Sequence, residues 1–246
     1  MINKSEGIVL KSFDFRETSK IATLFSKDYG KVSGILKGIR TDPRKFGSSL
    51  DKFSLNEFVY YKYSRTDLHL ISQCDLKQFY FPIRQDLKRN LAANYAVELI
   101  DVVMPQEQPN KEIYKLLLRF LEELEEVNDI DKLVHILQIK ILVLSGFQPH
   151  LDSCVKTGQV IKGKAKFDLR SGGLVSLDYP IEDEDCVVIS QGTISSLLFI
   201  EQNVWEKCLR LSLTQQVKKE LKYVLNNFLV FHLERKIKSA RFLQRT

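Results

Sequence analysis

The sequence predicts an α+β, multidomain protein in which a small β-barrel comes first and an α-helical bundle carrying a small β-rich insert follows. Three observations lead to this class. Residues 7–80 contain short runs rich in β-branched and aromatic side chains. After Pro82 the apolar residues recur with the helical period. Residues 150–186 return to strand-like pieces among Gly, Lys, Asp and Ser.

The first part of the chain holds five predicted strands. A hairpin turn at residues 27–30 and a polar loop at residues 41–47 separate some of them. Five short strands in so short a segment suit a small closed barrel, and an OB-fold is the leading candidate because its size and strand number match. Any other small β-sandwich or barrel is the alternative. The predicted strands are Gly7–Phe13, Ser19–Ser26, Lys31–Lys37, Phe53–Tyr63 and Asp67–Gln73.

Four helices are predicted from apolar stripes and their capping residues. The first stripe starts at residue 87, and Asn110 is placed to cap the second helix. Asp129 or Asp131 is placed to cap the third helix, which Gly146 ends, and Thr214 is placed to cap the long last one. We expect these stripes to form one bundle core.

The insert is predicted from its composition. Its expected strand pieces are Val160–Ile161, Lys166–Leu169 and Gly173–Leu177. The expected domains are therefore an OB-fold nucleic-acid-binding domain at 1–80, a helical domain in two parts at 81–150 and 187–246, and the inserted subdomain at 151–186.

Positive charge is concentrated at the two ends of the chain. Residues 1–80 contain 14 basic and 9 acidic residues, and residues 191–246 contain 10 basic and 4 acidic ones. Both intervening segments carry a small acidic excess. This pattern is typical of a protein that binds a polyanion and has a separate scaffold, although an excess of Lys is also common on soluble surfaces.

Several other classes of protein are disfavoured. No apolar run is long enough to span a bilayer and no signal peptide precedes the first strand, so we expect a cytoplasmic protein without a membrane partner. The four cysteines are widely spaced and predict neither disulfides nor a metal site. Phosphate loops, dinucleotide fingerprints and hydrolase elbows are missing, so we expect no enzyme, no catalytic residue and no cofactor.

The candidate nucleic-acid-binding residues fall into two clusters. Basic groups on a barrel rim can follow phosphates, and an aromatic ring among them can stack on a base. Phe46 packed as a loop anchor is the favoured alternative for that ring. For the second cluster, a solvated basic tail is an equal alternative. The first cluster is Lys31, Lys37, Arg40, Arg44, Lys45 and Phe46, and the second is Arg235, Lys236, Lys238 and Arg241.

Several segments in order resemble one known family. Residues 17–26, 29–31 and 37–40 give an acidic residue, a strand ending in Phe-Ser, a Gly-basic hairpin and Lys-Gly-Ile-Arg. Residues 231–243 read Phe-His-Leu and then Ile-Lys-Ser. Residues 146–154 and 167–175 lie between them. This arrangement is similar to that of the RecO family of bacterial recombination mediators over nearly the whole chain.

The resemblance implies a role in recombinational DNA repair. It implies binding of single- and double-stranded DNA, annealing of complementary strands, and help with loading of RecA together with RecR. It also implies contact with the acidic C-terminal tail of single-stranded-DNA-binding protein, for which the basic residues bordering the first two helices are candidates. These are Arg84, Lys88, Arg89, Lys111, Lys115 and Arg119. Each of them could equally be the intrahelical partner of a nearby Glu or Asp, so the prediction commits to this region and not to one residue.

One feature of the family is altered in this sequence. Many relatives hold a structural zinc in the insert with two C-x-x-C pairs, whereas here Cys154 is accompanied by Thr157, Ser176 and Tyr179 at the other positions. A structural zinc needs four good ligands. We therefore expect a degenerate zinc-finger-like insert without metal.

Two other functions remain as alternatives. A metal-dependent nuclease or phosphotransferase would need clustered carboxylates, and those of the first 80 residues are scattered along the sequence. A non-catalytic protein-interaction scaffold would use its basic ends only for solubility.

Overall fold

The computed structural model describes residues 1–42, 46, 50–180, 185–233 and 237–240. Within these residues the chain divides into two compact units. The first unit contains residues 1–127 together with residues 237–240, and the second contains the described part of residues 128–236. Among the described helices, none combines the length and the apolar character that a bilayer span requires.

The first unit opens with a closed barrel of five strands. β1 covers Ile2–Phe15, β2 Ser19–Ser26, β3 Gly30–Leu36, β4 Leu55–Tyr61 and β5 Leu68–Gln78. Their order is β1-β2-β3-β5-β4, and β4 pairs with β1 to close the barrel. All neighbours are antiparallel except β3 and β5, which are parallel. The barrel is OB-like, which confirms the predicted OB-fold of the first domain.

The long first strand closes the barrel because it pairs with both β2 and β4. Its first half pairs with β4, its second half pairs with β2, and a bulge between Val9 and Lys11 lets it bend. Glycine is required on β3 where a side chain of β5 lies close to its backbone. A Cβ on Gly34 would lie 2.6 Å from Cγ1 of Ile71, which points into the barrel from β5. Any larger residue there would push the β3–β5 pair apart.

Three helices complete the first unit. They are α1 at Phe81–Gln85, α2 at Leu87–Val103 and α3 at Lys111–Leu124. The side chain of Asn110 accepts hydrogen bonds from the backbone N–H groups of Glu112 and Ile113, so this predicted cap is confirmed. Helix α2 has buried residues on several faces, including Ala92, Ala93 and Ala96. Such small side chains let neighbouring elements approach its backbone.

Helices α2 and α3 cover one end of the outer barrel face. The fully buried ring of Phe25 on β2 lies 6.2 Å from that of Tyr114 on α3. The Lys31 ammonium donates to the Asp101 carbonyl oxygen at 2.6 Å and lies 3.1 Å from Oδ1 of the same residue. The Lys11 ammonium lies 2.9 Å from Oδ2. Burial raises the pKa of Asp101, but hydrogen bonds and charge from the two lysines outweigh it and lower the pKa.

The second unit combines four helices with a small sheet. The helices are α4 at Ile130–Leu144, α5 at Gln191–Gln202, α6 at Trp205–Leu209 and α7 at Gln215–Leu233. The sheet has the order β7-β6-β8, with β6 at Ala165–Asp168, β7 at Gly173–Val175 and β8 at Cys186–Ile189. The rings of Phe167 and Phe228 meet edge to face at 5.7 Å and join the sheet to α7.

The predicted helix ends of the second unit are confirmed, whereas several of its short elements were not predicted. Asp129 caps α4 through Lys132 N, Gly146 follows that helix with φ of 79°, and Thr214 caps α7 through Val217 N. The predicted strand at Val160–Ile161 is wrong, since those residues form no strand. Strand β8 and helices α5 and α6 lie in a stretch for which the sequence analysis proposed no element.

The Lys31–Asp101 contact should control the stability of the first unit. Replacing Asp101 by Asn removes the carboxylate from a nearly buried ammonium, so we expect a loss of about 2–3 kcal/mol at neutral pH. Because the folded pKa of Asp101 is lowered, its contribution is present above the unfolded pKa of about 4 and disappears as pH falls below it. Urea unfolding between neutral and acidic pH measures both effects.

The matched control is Glu57→Gln, which weakens the ion pair of Glu57 with the exposed Lys4. An exposed pair of this kind contributes about 1 kcal/mol or less. Equal losses from both substitutions would contradict a structural role for the Lys31–Asp101 contact.

Candidate nucleic-acid interface

Two of the predicted binding residues are buried. Only 7% of Lys31 is exposed, and its ammonium is bound to Asp101 as described above. Phe46 is 4% exposed and belongs to the barrel core with Val9, Leu24 and Phe58. Burial leaves little of either side chain exposed to nucleic acid, so the surface described below does not include them. Lys31 holds a helix to the barrel, and Phe46 is the loop anchor that the sequence left as its alternative.

Arg40 has a structural role. Its Nη1 donates to the carbonyl oxygen of Arg16 at 3.0 Å, and its Nε lies 3.4 Å from Oδ2 of Asp14. The backbone N–H of Arg40 also donates to the carbonyl oxygen of Thr18 at 3.1 Å. These contacts fasten the segment after β3 to the β1–β2 loop. The Arg40 side chain remains 40% exposed, so its charge still faces solvent beside Lys37, which is exposed as well.

The remaining predicted residues are only partly described. Lys238 is exposed and follows the buried Ile237 in the first unit. The other predicted positions lie outside the described residues, namely Arg44, Lys45, Arg235, Lys236 and Arg241.

An apolar row crosses the uncovered end of the outer barrel face. Residues that pair across neighbouring strands project from the same face of the sheet. A series of successive pairings therefore marks a row of side chains around the barrel. The row consists of Phe13, Ile21, Ile35, Leu70, Tyr61 and Ile2, paired in that order. Phe13 is 52% exposed and Tyr61 40%, while Ile21 and Ile35 are half-buried. We call this set the apolar row.

Two exposed loops flank the apolar row. The β1–β2 loop, residues 16–18, is fully at the surface, and the guanidinium of Arg16 lies 5.3 Å from the centre of the Phe15 ring. The β4–β5 loop, residues 62–67, is also exposed and contains Tyr63 and Arg65. Tyr63 is 45% exposed. The surface therefore offers two further aromatic rings and two further cations beside the row.

A buried histidine holds the base of the β4–β5 loop. Nδ1 of His69 accepts a hydrogen bond from the Tyr63 backbone N–H at 3.3 Å, so its Nε2 carries the proton that faces Glu107 Oε1 at 2.8 Å. Glu107 also binds the Lys62 ammonium at 2.6 Å. Hydrogen bonds from Lys62 and His69 lower the pKa of Glu107. The loop is thus fixed at its base while its tip stays exposed.

This arrangement suits unpaired nucleic acid. In OB-folds the face of strands 2 and 3 and the loops β1–β2 and β4–β5 are the surfaces that bind oligonucleotides. Aromatic side chains can stack on bases, and cations along the edge can follow the phosphates. Phe13, Arg16, Tyr63 and Arg65 are not among the binding residues predicted from the sequence. The alternation of side chains along β1 could have indicated this surface, because it places the aromatic Phe13 on the face of the strand that points to solvent.

The insert contains a turn built around a cysteine. Cys154 is fully buried, and Gly158 N donates to its carbonyl oxygen at 2.8 Å. Burial raises the pKa of its thiol, but hydrogen bonds from the Thr157 hydroxyl and from the backbone N–H groups of Ser176, Lys156 and Thr157 outweigh it and lower the pKa to about 7.

These residues do not fit a zinc ion. One thiol, two hydroxyls and the phenol of Tyr179 stand at the four positions where relatives were expected to carry thiolates. The part of the chain that the structure describes holds no group of three or more His, Cys, Asp or Glu side chains arranged for a metal.

A closed five-stranded barrel followed by helices and a small sheet defines the class as an OB-like, barrel-bearing multidomain protein. The family models Recombination protein O N terminal and Recombination protein O C terminal match residues 1–80 and 84–241. The chain therefore belongs to the RecO family, and its role is in DNA repair and recombination.

Curated relatives match over nearly the full length. The DNA repair protein RecO of Desulforamulus reducens is 31% identical over 99% of this chain and 94% of its own length. The proteins of the same name from Alkaliphilus metalliredigens and Bacillus pumilus are each 28% identical, over 96% and 99% of this chain.

The Cys154 site yields a prediction about metal content. Because a single thiol among hydroxyls binds zinc weakly, we expect less than one zinc per chain in protein purified without chelator. We also expect the thermal midpoint to be the same with and without EDTA. Elemental analysis and calorimetry measure these quantities. Stoichiometric zinc whose removal unfolds the insert would show that this donor set has been misjudged.

Proposed function

We propose that this chain binds single- and double-stranded DNA without altering it chemically and acts as a recombination mediator. In this role it anneals complementary strands and, with RecR and single-stranded-DNA-binding protein, assists the loading of RecA in the cytoplasm. The family supports the general role in repair. The barrel surface supports the mode of action.

The observation that carries the proposal is the division of the outer barrel face. Helices α2 and α3 cover the end that contains Phe25 and Lys31. The other end keeps the apolar row exposed, although an apolar strip on a soluble barrel would ordinarily be covered. Loops bearing Arg16 and Arg65 border it. An apolar strip with a cationic edge matches the bases and phosphates of a single strand.

Duplex DNA hides its bases and presents mainly phosphates. Its binding therefore depends on exposed cations such as Lys37 and Lys238 and on the basic residues that follow the last helix. A protein that binds single strands through their bases and duplexes through their phosphates can hold both the substrates and the product of annealing. No covalent step is needed for that role.

The tail of single-stranded-DNA-binding protein is proposed to bind near α3. Lys111, Lys115 and Arg119 are exposed and recur every four residues, so they share one face of that helix. Two other candidates have structural roles. Arg84 lies against the rings of Phe53 and Phe79, and Arg89 donates to the carbonyl oxygen of Leu124. The exposed cations of α3 carry the charge that an acidic tail would contact.

The apolar row should discriminate between single strands and duplexes. Phe13→Ala should weaken binding of a single-stranded oligonucleotide by about 1–3 kcal/mol, because one stacking surface is lost. The effect on a duplex should be much smaller. Fluorescence anisotropy with both DNAs, with and without Mg²⁺, measures the affinities and reveals any cleavage.

Phe81→Ala is the matched control, since Phe81 is 59% exposed in α1 of the same unit. Equal effects of the two substitutions would remove the apolar row from the site. Cleavage that depends on Mg²⁺ would favour the nuclease alternative, and no binding to either DNA would favour the protein-interaction scaffold.

The tail contact can be tested on the intact protein. A peptide with the acidic C-terminal sequence of single-stranded-DNA-binding protein should bind, and its affinity should fall as salt rises. Reversing the charges of Lys111, Lys115 and Arg119 together should abolish binding, as measured by calorimetry. Reversing Lys207, Arg210 and Lys219 gives the same change of charge on exposed residues of the second unit. If only this second variant loses the peptide, the contact lies in the second unit and not on α3.

A further inference from the structure

The connection between α2 and α3, residues 104–110, lies against the start of β3. The backbone N–H of Glu107 donates to the carbonyl oxygen of Lys31 at 3.1 Å, and Gln106 forms a parallel bridge with the same lysine. A Cβ on Gly30 would lie 2.3 Å from a backbone oxygen of the connection, so only a glycine allows so close an approach. The backbone of the connection is therefore fixed to the barrel wall.

Glu107 has an unusual backbone conformation within this connection. Its φ is 54°, in the left-handed region that residues with a Cβ rarely adopt. Such a conformation persists where the surrounding contacts require it. The carboxylate supplies these contacts, because Oε1 lies 2.8 Å from Nε2 of His69 and Oε2 lies 2.6 Å from the Lys62 ammonium. The left-handed backbone thus brings an acidic side chain to the base of the β4–β5 loop.

The hydrogen bond from His69 to Glu107 determines how the histidine binds the loop. The His69 side chain is 1% exposed, and its ring stacks on that of Tyr60 at 5.4 Å. Its Nδ1 accepts the hydrogen bond of the Tyr63 backbone N–H at 3.3 Å, which requires the ring proton to be on Nε2. An acceptor at Nε2 favours that tautomer. Glu107 therefore keeps His69 in the form that can hold the backbone of Tyr63.

We propose that Glu107 is a positioning residue for single-stranded DNA: by its hydrogen bond to His69 it holds the β4–β5 loop so that the exposed Tyr63 ring remains a stacking surface beside the apolar row. This inference rests on the proposed binding of DNA. It assigns to an acidic residue outside the barrel strands a part in binding a polyanion, whereas its charge alone would repel phosphates. Glu107 acts through His69 and does not itself contact the DNA.

The sign of the effect distinguishes positioning from charge. Glu107→Gly removes the carboxylate and suits the left-handed backbone. It should weaken binding of a single-stranded oligonucleotide about fivefold or more, the lower end of what one stacked base contributes. Duplex affinity should stay unchanged or rise, since a negative charge is lost. Fluorescence anisotropy with both DNAs measures these affinities.

Two Gln variants separate the hydrogen bond from the charge. Glu107→Gln keeps an oxygen that can accept from His69 Nε2, so it should restore most of the single-strand affinity that Glu107→Gly loses. Glu57→Gln is the matched control, because Glu57 binds Lys4 and Lys77 on the same barrel. It should leave single-strand affinity unchanged or raise it.

A second readout needs no DNA. The Tyr63 backbone N–H should exchange with deuterium faster in Glu107→Gly than in the wild type or in Glu57→Gln, as measured by NMR, because its acceptor on His69 is no longer held. If Glu107→Gly fails to fold, Glu107→Asn decides the question. Asn also tolerates a positive φ, and its side chain is one methylene too short to keep the contact with His69.

A Tyr63→Ala background completes the design. Adding Glu107→Gly to it should cause no further loss of single-strand affinity, because the ring that Glu107 positions is gone. A further loss as large as that in the wild type would overturn the inference. So would an affinity of Glu107→Gly equal to that of Glu57→Gln, or an affinity of Glu107→Gln as low as that of Glu107→Gly.

The two readouts must also agree. Faster exchange of the Tyr63 N–H with unchanged single-strand affinity would overturn the inference, because the contact would then serve only the fold. Unchanged exchange in Glu107→Gly would overturn it as well. If the wild type binds no DNA, the proposed function fails, while the exchange measurement still tests whether Glu107 holds the loop.

Discussion

The buried contact between the Lys31 ammonium and Asp101 joins the barrel to helix α2 and so determines which part of the outer barrel face is covered. A cation that is almost excluded from water needs a full set of partners, and Asp101 supplies both its carbonyl and its carboxylate oxygens. Helix α2 is therefore held against one end of the outer β2–β3 face. The opposite end stays uncovered, and the exposure of Phe13 follows from this division. A barrel with both ends of this face covered would have no such surface.

Helix α2 connects the barrel to the end of the chain through two carboxylates. Asp101 binds lysines of β1 and β3, and Glu98, one turn earlier, binds the backbone at Lys238 and Ser239. Asp101 binds the buried ammonium of Lys31. Glu98 binds the backbone of Lys238, whose side chain stays exposed.

The parts of the structure that depend on near neighbours could be predicted from the sequence. Strand alternation gave the five barrel strands, and capping chemistry gave Asn110 and Asp129. The binding residues could not be selected in the same way. Lys31 is withdrawn by a partner 70 positions away, and Phe46 by the barrel core. Phe13 belongs to a surface only because five strands align in register around a closed barrel, which a count of charges and rings along the chain cannot show.

Unpaired DNA is proposed to lie on the uncovered end of the β2–β3 face. Photocrosslinking of a single-stranded oligonucleotide containing 5-iodouracil, followed by mass spectrometry of the crosslinked peptides, tests it most directly because aromatic side chains stacked on the bases react preferentially. We expect crosslinks at Phe13 and Tyr63, and unlabelled single strands should compete with them. Crosslinks confined to residues 128–233, with none in the barrel, would contradict it.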